Sequence, residues 1–177
     1  RYALTNYLLP GVWPHAALFI GTAEQRSEYG IQIEAEVAER WSGSKCTLEA
    51  LRDGVLFRSL ADTLNVDYFT VIRPKLSRDE LAEGIARVVK HEGKSYNFDF
   101  DFFTSDKLVC TEVVYRALDG IGGIHLPLSS RAGRRTLSAE DLLDLALANE
   151  VFEPLAMFGF PEGFEELVTG EDVWQPL

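Results

Sequence analysis

The order of apolar and polar positions divides this chain into strand-like and helix-like stretches. The first is "HAALFIG" (15–21), a short apolar run closed by Gly21, which predicts a buried strand. "EYGIQIEAEVAERW" (28–41) is ambiguous between strand and helix, and "SGS" (42–44) follows as a loop. "CTLEAL" (46–51) and "GVLFRSL" (54–60) flank "RDG"; an Asp-Gly pair between two such runs predicts an antiparallel hairpin. "DYFTVIRP" (67–74) predicts a further strand, stopped by Pro74.

The period then changes. "SRDELAEGIARVVKHEG" (77–93) predicts a helix with Ser77 as N-cap, Glu80 three residues on, and a glycine exit. "KSYNFDFDFF" (94–103) alternates strictly, placing Phe98, Phe100 and Phe102 on one side and Asn97, Asp99 and Asp101 on the other. "SDKLVCTEVVYRALDG" (105–120) reads as an amphipathic helix capped by Ser105 or Asp106. Its apolar stripe is Cys110, Val113, Val114, Ala117 and Leu118, with Glu112, Arg116 and Asp119 on the polar side. "IGGIHLPLSSRAGRR" (121–135) reads as a long loop, "SAEDLLDLALANE" (138–150) as a helix with Ser138 and Asp141 in a capping-box arrangement. "FEPLAMFGF" (152–160) predicts a last strand, and 161–177 an irregular acidic tail. This order predicts an α+β fold, a mainly antiparallel sheet packed against helices, in a single domain spanning 1–177.

Composition narrows the function. Of 177 residues 46% are hydrophobic and 25% charged, enough for one buried core. The net charge of −11, with basic residues scattered apart from "RAGRR" (131–135), argues against a nucleic-acid partner. No apolar run is long enough to span a bilayer, and the start shows no signal-peptide pattern. The chain opens "RYALTNYLLPG" without Met, so a mature or trimmed form is equally expected, and cell envelope and cytoplasm both stay open. Cys46 and Cys110 have neither zinc spacing nor the number for a disulfide framework, so two free thiols are expected.

Cys110 has two readings. Near a helix N-terminus, the macrodipole and free amides favour a thiolate and can hold an oxyanion. The apolar stripe fits a core cysteine equally well. A nucleophile needs a base, and the base an orienting acceptor. His91, between Lys90 and Glu92, reads as a solvated residue at a helix C-terminus, and His125 lies in the glycine-containing loop. His15 opens a strand, where it can face a cleft or sit half-buried and satisfied. Glu49 is the only charge within 46–51; it is either paired or turned outward on an alternating strand. Asp99 and Asp101 form a D-x-D pair able to ligate a metal in a metal-dependent hydrolase, although such a pair more often marks a solvated strand face.

Taken in order, "WPHAALFIGT", "CTLEALRDGVLFRSL" and "YNFDFDFFTSDKLVCTEVVYRAL" resemble the permuted papain-like thiol hydrolases, the YiiX-like branch of the NlpC superfamily. In that pattern a His starts a strand ending "hyIG", a Glu follows in "vlEA…GV…sl", and "Y-x-F-D-F" precedes a helix bearing "C-S-E-L-V". The resemblance covers roughly the first two thirds of the chain. Pro14 replaces the usual Ser or Thr, "CTEVV" replaces "CSELV", and the opening "G-D-I" strand is not found.

The resemblance implies a circularly permuted papain-like fold with Cys110 as nucleophile, His15 as base, Glu49 as orienter and Tyr96 lining the substrate site. It implies a hydrolase or acyltransferase working through a thioester on cell-wall peptide amides or lipid-linked acyl groups, with no metal or organic cofactor. The alternative is a papain-like scaffold kept as a non-catalytic binding module.

Overall fold

A computed structural model of the chain describes residues 12–99, 102, 106–131, 133–160, 166–170 and 173. Two three-stranded antiparallel sheets frame it. In the first, β2 (Lys45–Leu51) lies between β1 (Leu18–Phe19) and β3 (Gly54–Ser59). The predicted Asp-Gly hairpin joins β2 to β3, with Glu49 opposite Leu56 and Leu51 opposite Gly54. Gly54 is needed there: its φ is +111°, and a Cβ would stand 2.7 Å from the Lys94 carbonyl oxygen. That close approach lets Val55 N–H donate to the same carbonyl at 2.8 Å. The second sheet pairs β4 (Phe69–Pro74) with β9 (Phe152–Phe158), and β9 with β10 (Leu167–Thr169).

The helices follow their caps. α1 (Ala23–Glu28) and α2 (Ala35–Arg40) occupy the ambiguous stretch and its approach, separated by the turn at Gly30. α3 (Leu60–Thr63) is one turn capped by Ser59. α4 (Arg78–Val89) starts on the predicted Ser77–Glu80 capping box, and α6 (Ala139–Leu147) on the Ser138–Asp141 box. α5 (Cys110–Leu118) begins directly at the cysteine. Its stripe enters the core: Val113 and Ala117 are fully buried beside Leu48 and Ala50 of β2 and Val88 of α4. α4 and α5 approach so closely that a Cβ on Gly84 would stand 2.9 Å from the Ala117 carbonyl oxygen.

Several expectations change. The strand at 15–21 contracts to Leu18–Phe19. The alternation in 94–103 does not make a strand: β5 is only Ser95–Tyr96, paired in parallel with β6 (Lys107–Leu108), and 97–99 turns away. Asn97 is wholly buried and accepts from Asp99 N–H through Oδ1 at 3.0 Å, while Phe98 is 59% exposed and Phe102 is buried. Local side-chain-to-backbone bonding thus overrides the period-two pattern. Phe100 and Asp101 lie outside the described residues.

The loop at 121–135 contains the strands of a small hairpin, β7 (Ser129–Arg131) with β8 (Arg134–Thr136). The tail is not wholly irregular, because β10 finds an open edge on β9. His91 is not a solvated cation: burial, then Lys94, Arg116 and Lys90, lowers its pKa to about 4. Cys46 and Cys110 are both free thiols.

Candidate active site

The segment before β1 carries His15 and is pinned from outside the first sheet. Trp13 packs edge-on against Tyr68 and beside Phe160, at ring separations of 5.2 and 5.5 Å. Tyr68 also donates its hydroxyl to the Val12 carbonyl at 2.6 Å. Next to this anchor, His15 Nε2 lies 2.6 Å from Glu49 Oε2.

Glu49 is buried, only 3% exposed, because β2 is covered on both faces. α5 packs on the Leu48–Ala50 side, and α3 meets the side that carries Thr47 and Glu49. The outward alternative for Glu49 is thus excluded, and the residue is paired instead. Its Oε1 accepts from the Thr63 hydroxyl at 3.1 Å and faces Arg58 Nε at 3.3 Å.

Cys110 reaches the same place from the other side of β2. The N-cap of α5 is Val109, with no side-chain cap; Asp106 does not cap it, and Ser105 lies outside the described residues. Cys110 therefore takes the first helical position, where the leading amides have no partner within the helix. Its thiol is 3% exposed and hydrogen-bonded to His15. With Nε2 held by Glu49, Nδ1 is the ring nitrogen left for the sulfur.

The charges reinforce each other. Burial opposes a thiolate, but the His15 cation and the backbone amides of Ala16 and Thr111 outweigh it and hold the Cys110 pKa below its ordinary value. Burial likewise opposes an imidazolium, yet Cys110 and then Glu49 raise His15 to about 10. Each group thus favours the charged form of the other. Tyr96 lies close enough to feel that thiolate: burial, then the Cys110 charge, raises its phenol. It sits opposite Leu108 in the β5–β6 pair, two residues ahead of Cys110, with its ring 5.0 Å from that of Phe98.

The structure thus brings Cys110, His15, Glu49 and Tyr96 together and leaves the other candidates apart. His125 is exposed and faces Asp119 at 3.5 Å. Asp101 lies outside the described residues, and among those described no group of His, Cys, Asp or Glu is arranged to hold a metal ion.

Sequence reasoning missed three residues around the site. Arg58 and Thr63 touch Glu49 only because α3 folds back over β2. Glu112, expected on the polar face of its helix, is wholly buried. The Arg116 guanidinium donates to its Oε1 at 2.9 and 2.6 Å, and after Arg116 the Val109 backbone favours its charged form. Glu112 thus stands at the third helical position, where the Glu of a helix-start pattern is found. The signal was in the sequence, since a Glu three residues after an N-cap is a helix-start pattern; the cap was simply placed too early.

The family model for permuted papain-like amidase enzymes of the YaeF/YiiX type matches residues 1–161. No curated protein matches this chain. Among solved structures, the crystal structure of metalloprotein yiiX from Escherichia coli O157:H7 is similar at 18% identity and a TM-score of 0.42. That likeness covers 89% of this chain and 87% of the other.

Proposed function

Since the chain belongs to the family of permuted papain-like amidases, an amidase-like hydrolase with a permuted papain-like α+β fold, we propose that it works as a thiol hydrolase through Cys110, His15 and Glu49. The observation that carries this reading is the buried Glu49–His15 contact of 2.6 Å beside a cysteine whose pKa is lowered by the same histidine. A merely structural cysteine has no use for a paired imidazolium.

The steps follow from the charges. The Cys110 thiolate attacks the carbonyl carbon of an amide or ester. Backbone amides at the start of α5 stabilise the developing oxyanion. The His15 imidazolium gives its proton to the departing amine or alcohol, leaving a thioester on Cys110. Neutral His15 then takes a proton from water or another acceptor nucleophile, which attacks the thioester and restores the thiolate. Glu49 keeps the ring aligned through both steps, and Tyr96 borders the substrate. Water as acceptor gives hydrolysis, and a second nucleophile gives acyl transfer. The substrates proposed are cell-wall peptide amides or lipid-linked acyl groups. Among the described residues no helix is long and apolar enough to cross a membrane.

The test is thiol reactivity followed by activity. Cys110 is expected to react with iodoacetamide at pH 6 faster than Cys46, with the modified peptide identified by mass spectrometry. Cys110→Ala is expected to abolish hydrolysis of amide and ester probes. Equal labelling of the two cysteines, or activity surviving Cys110→Ala, refutes the reading.

A further inference from the structure

The half of Glu49 that does not face His15 is as closely engaged as the half that does. Oε1 has the Thr63 hydroxyl at 3.1 Å and Arg58 Nε at 3.3 Å. Arg58 Nε is buried at ion-pair distance but off the direction of a hydrogen bond, so it acts on Glu49 as charge, whereas Thr63 acts by direction. Each is itself held. Thr63 Oγ1 lies 2.7 Å from Thr47 Oγ1; with its own proton given to Glu49, Thr63 accepts from the Thr47 hydroxyl, which has the Arg58 carbonyl as its other acceptor at 3.0 Å. The Arg58 guanidinium reaches Asp53 in the β2–β3 turn at 2.6 Å.

We propose that Thr63 and Arg58 are positioning residues that grip Oε1 of Glu49, so that Oε2 is presented to His15 in one orientation. The inference rests on the Cys110–His15–Glu49 reading and extends it outward. From the turn at Asp53 to the sulfur, the groups alternate in sign: Asp53, Arg58, Glu49, His15, Cys110. A buried carboxylate that touched only the histidine would be free to rotate about its last bond and weaken that contact. With one oxygen gripped by a hydroxyl and a cation, rotation breaks a charged hydrogen bond and an ion pair together. Neither Thr63 nor Arg58 meets the sulfur, so their effect must pass through the histidine.

The experiment follows the pH dependence of Cys110 alkylation by iodoacetamide in the intact chain, with thermal melting to report folding. Thr63→Val keeps the shape and removes the hydroxyl. It is expected to slow Cys110 labelling at pH 6 by about tenfold, the scale of one hydrogen bond to a charged group. The acid limb of the profile moves to higher pH. Thr63→Ser restores the profile of the unmodified chain. Arg58→Met is expected to move the limb the same way, and Arg58→Lys to recover part of the shift. A folded Thr63→Val protein whose profile overlays that of the unmodified chain overturns the proposal. Thr63 decides the matter even where Arg58→Met does not fold. Fast Cys110 labelling in the unmodified chain with no effect of Thr63→Val sinks this inference alone. Slow labelling in the unmodified chain sinks the catalytic reading and this inference with it.

Discussion

Glu112→Gln isolates the cost of a charge buried beneath the nucleophile. Glu112 is wholly buried, and Oε2 has no hydrogen-bond partner. Burial raises its pKa from 4.5 to about 7, against the pull of Arg116. The folded carboxyl thus binds a proton more tightly than the unfolded one. Stability associated with this group is full below pH 4.5 and falls as pH rises to about 7. At about 1.4 kcal/mol for each tenfold change, the ionised form costs on the order of 3 kcal/mol at pH 8. Gln keeps the shape and an acceptor for Arg116 but has no charge to bury.

The assay is urea unfolding of both proteins from pH 4 to 8, taking the difference in unfolding free energy at each pH. Groups common to both cancel. The difference should rise in favour of Glu112→Gln by up to about 3 kcal/mol between pH 4.5 and 8. A difference that stays flat across this interval refutes the claim that Glu112 titrates within it.

Gly84→Ala should destabilise the protein by about 1–3 kcal/mol by overpacking against the Ala117 carbonyl, read as a lower urea midpoint. By shifting α5 it should also slow Cys110 alkylation. The raised His15 implies pH behaviour of the same sign as Glu112 in a higher window: the stability it contributes is complete below its ordinary 6.5 and lost as pH rises through about 10. Cys110→Ala removes the strongest of the influences that raise His15, so proton NMR should find the ring titrating at lower pH than in the unmodified chain.

What could be read beforehand and what could not differ in range. The β2–β3 hairpin and the caps at Ser77 and Ser138 depend on residues three or four apart, and each was legible. The ordering of His15, Glu49 and Cys110 along the chain was legible as a resemblance, because each sits within a short run of residues that matches a family motif. The surroundings of Glu49 were not. Arg58 looked like one polar position on an alternating strand, and Thr63 belonged to no pattern until α3 turned back over β2. Asn97 misled for the converse reason: its alternation with Phe98 was genuine, but its side chain bonds the Asp99 amide two residues on and ends the strand.

Trp13 carries a last consequence. It sits against Tyr68 and Phe160, and its cluster includes Ala139 and Leu143 of α6, far along the chain from the residues proposed for chemistry. The histidine is therefore steadied by segments that contain none of the three reacting groups. A fragment ending after α5 would keep Cys110, His15 and Glu49 yet lose most of the wall that seats Trp13. The three residues are not a cassette that can be cut out or transplanted with the first two thirds of the sequence. Transfer of this chemistry to another scaffold would have to carry along an aromatic socket that no catalytic motif records.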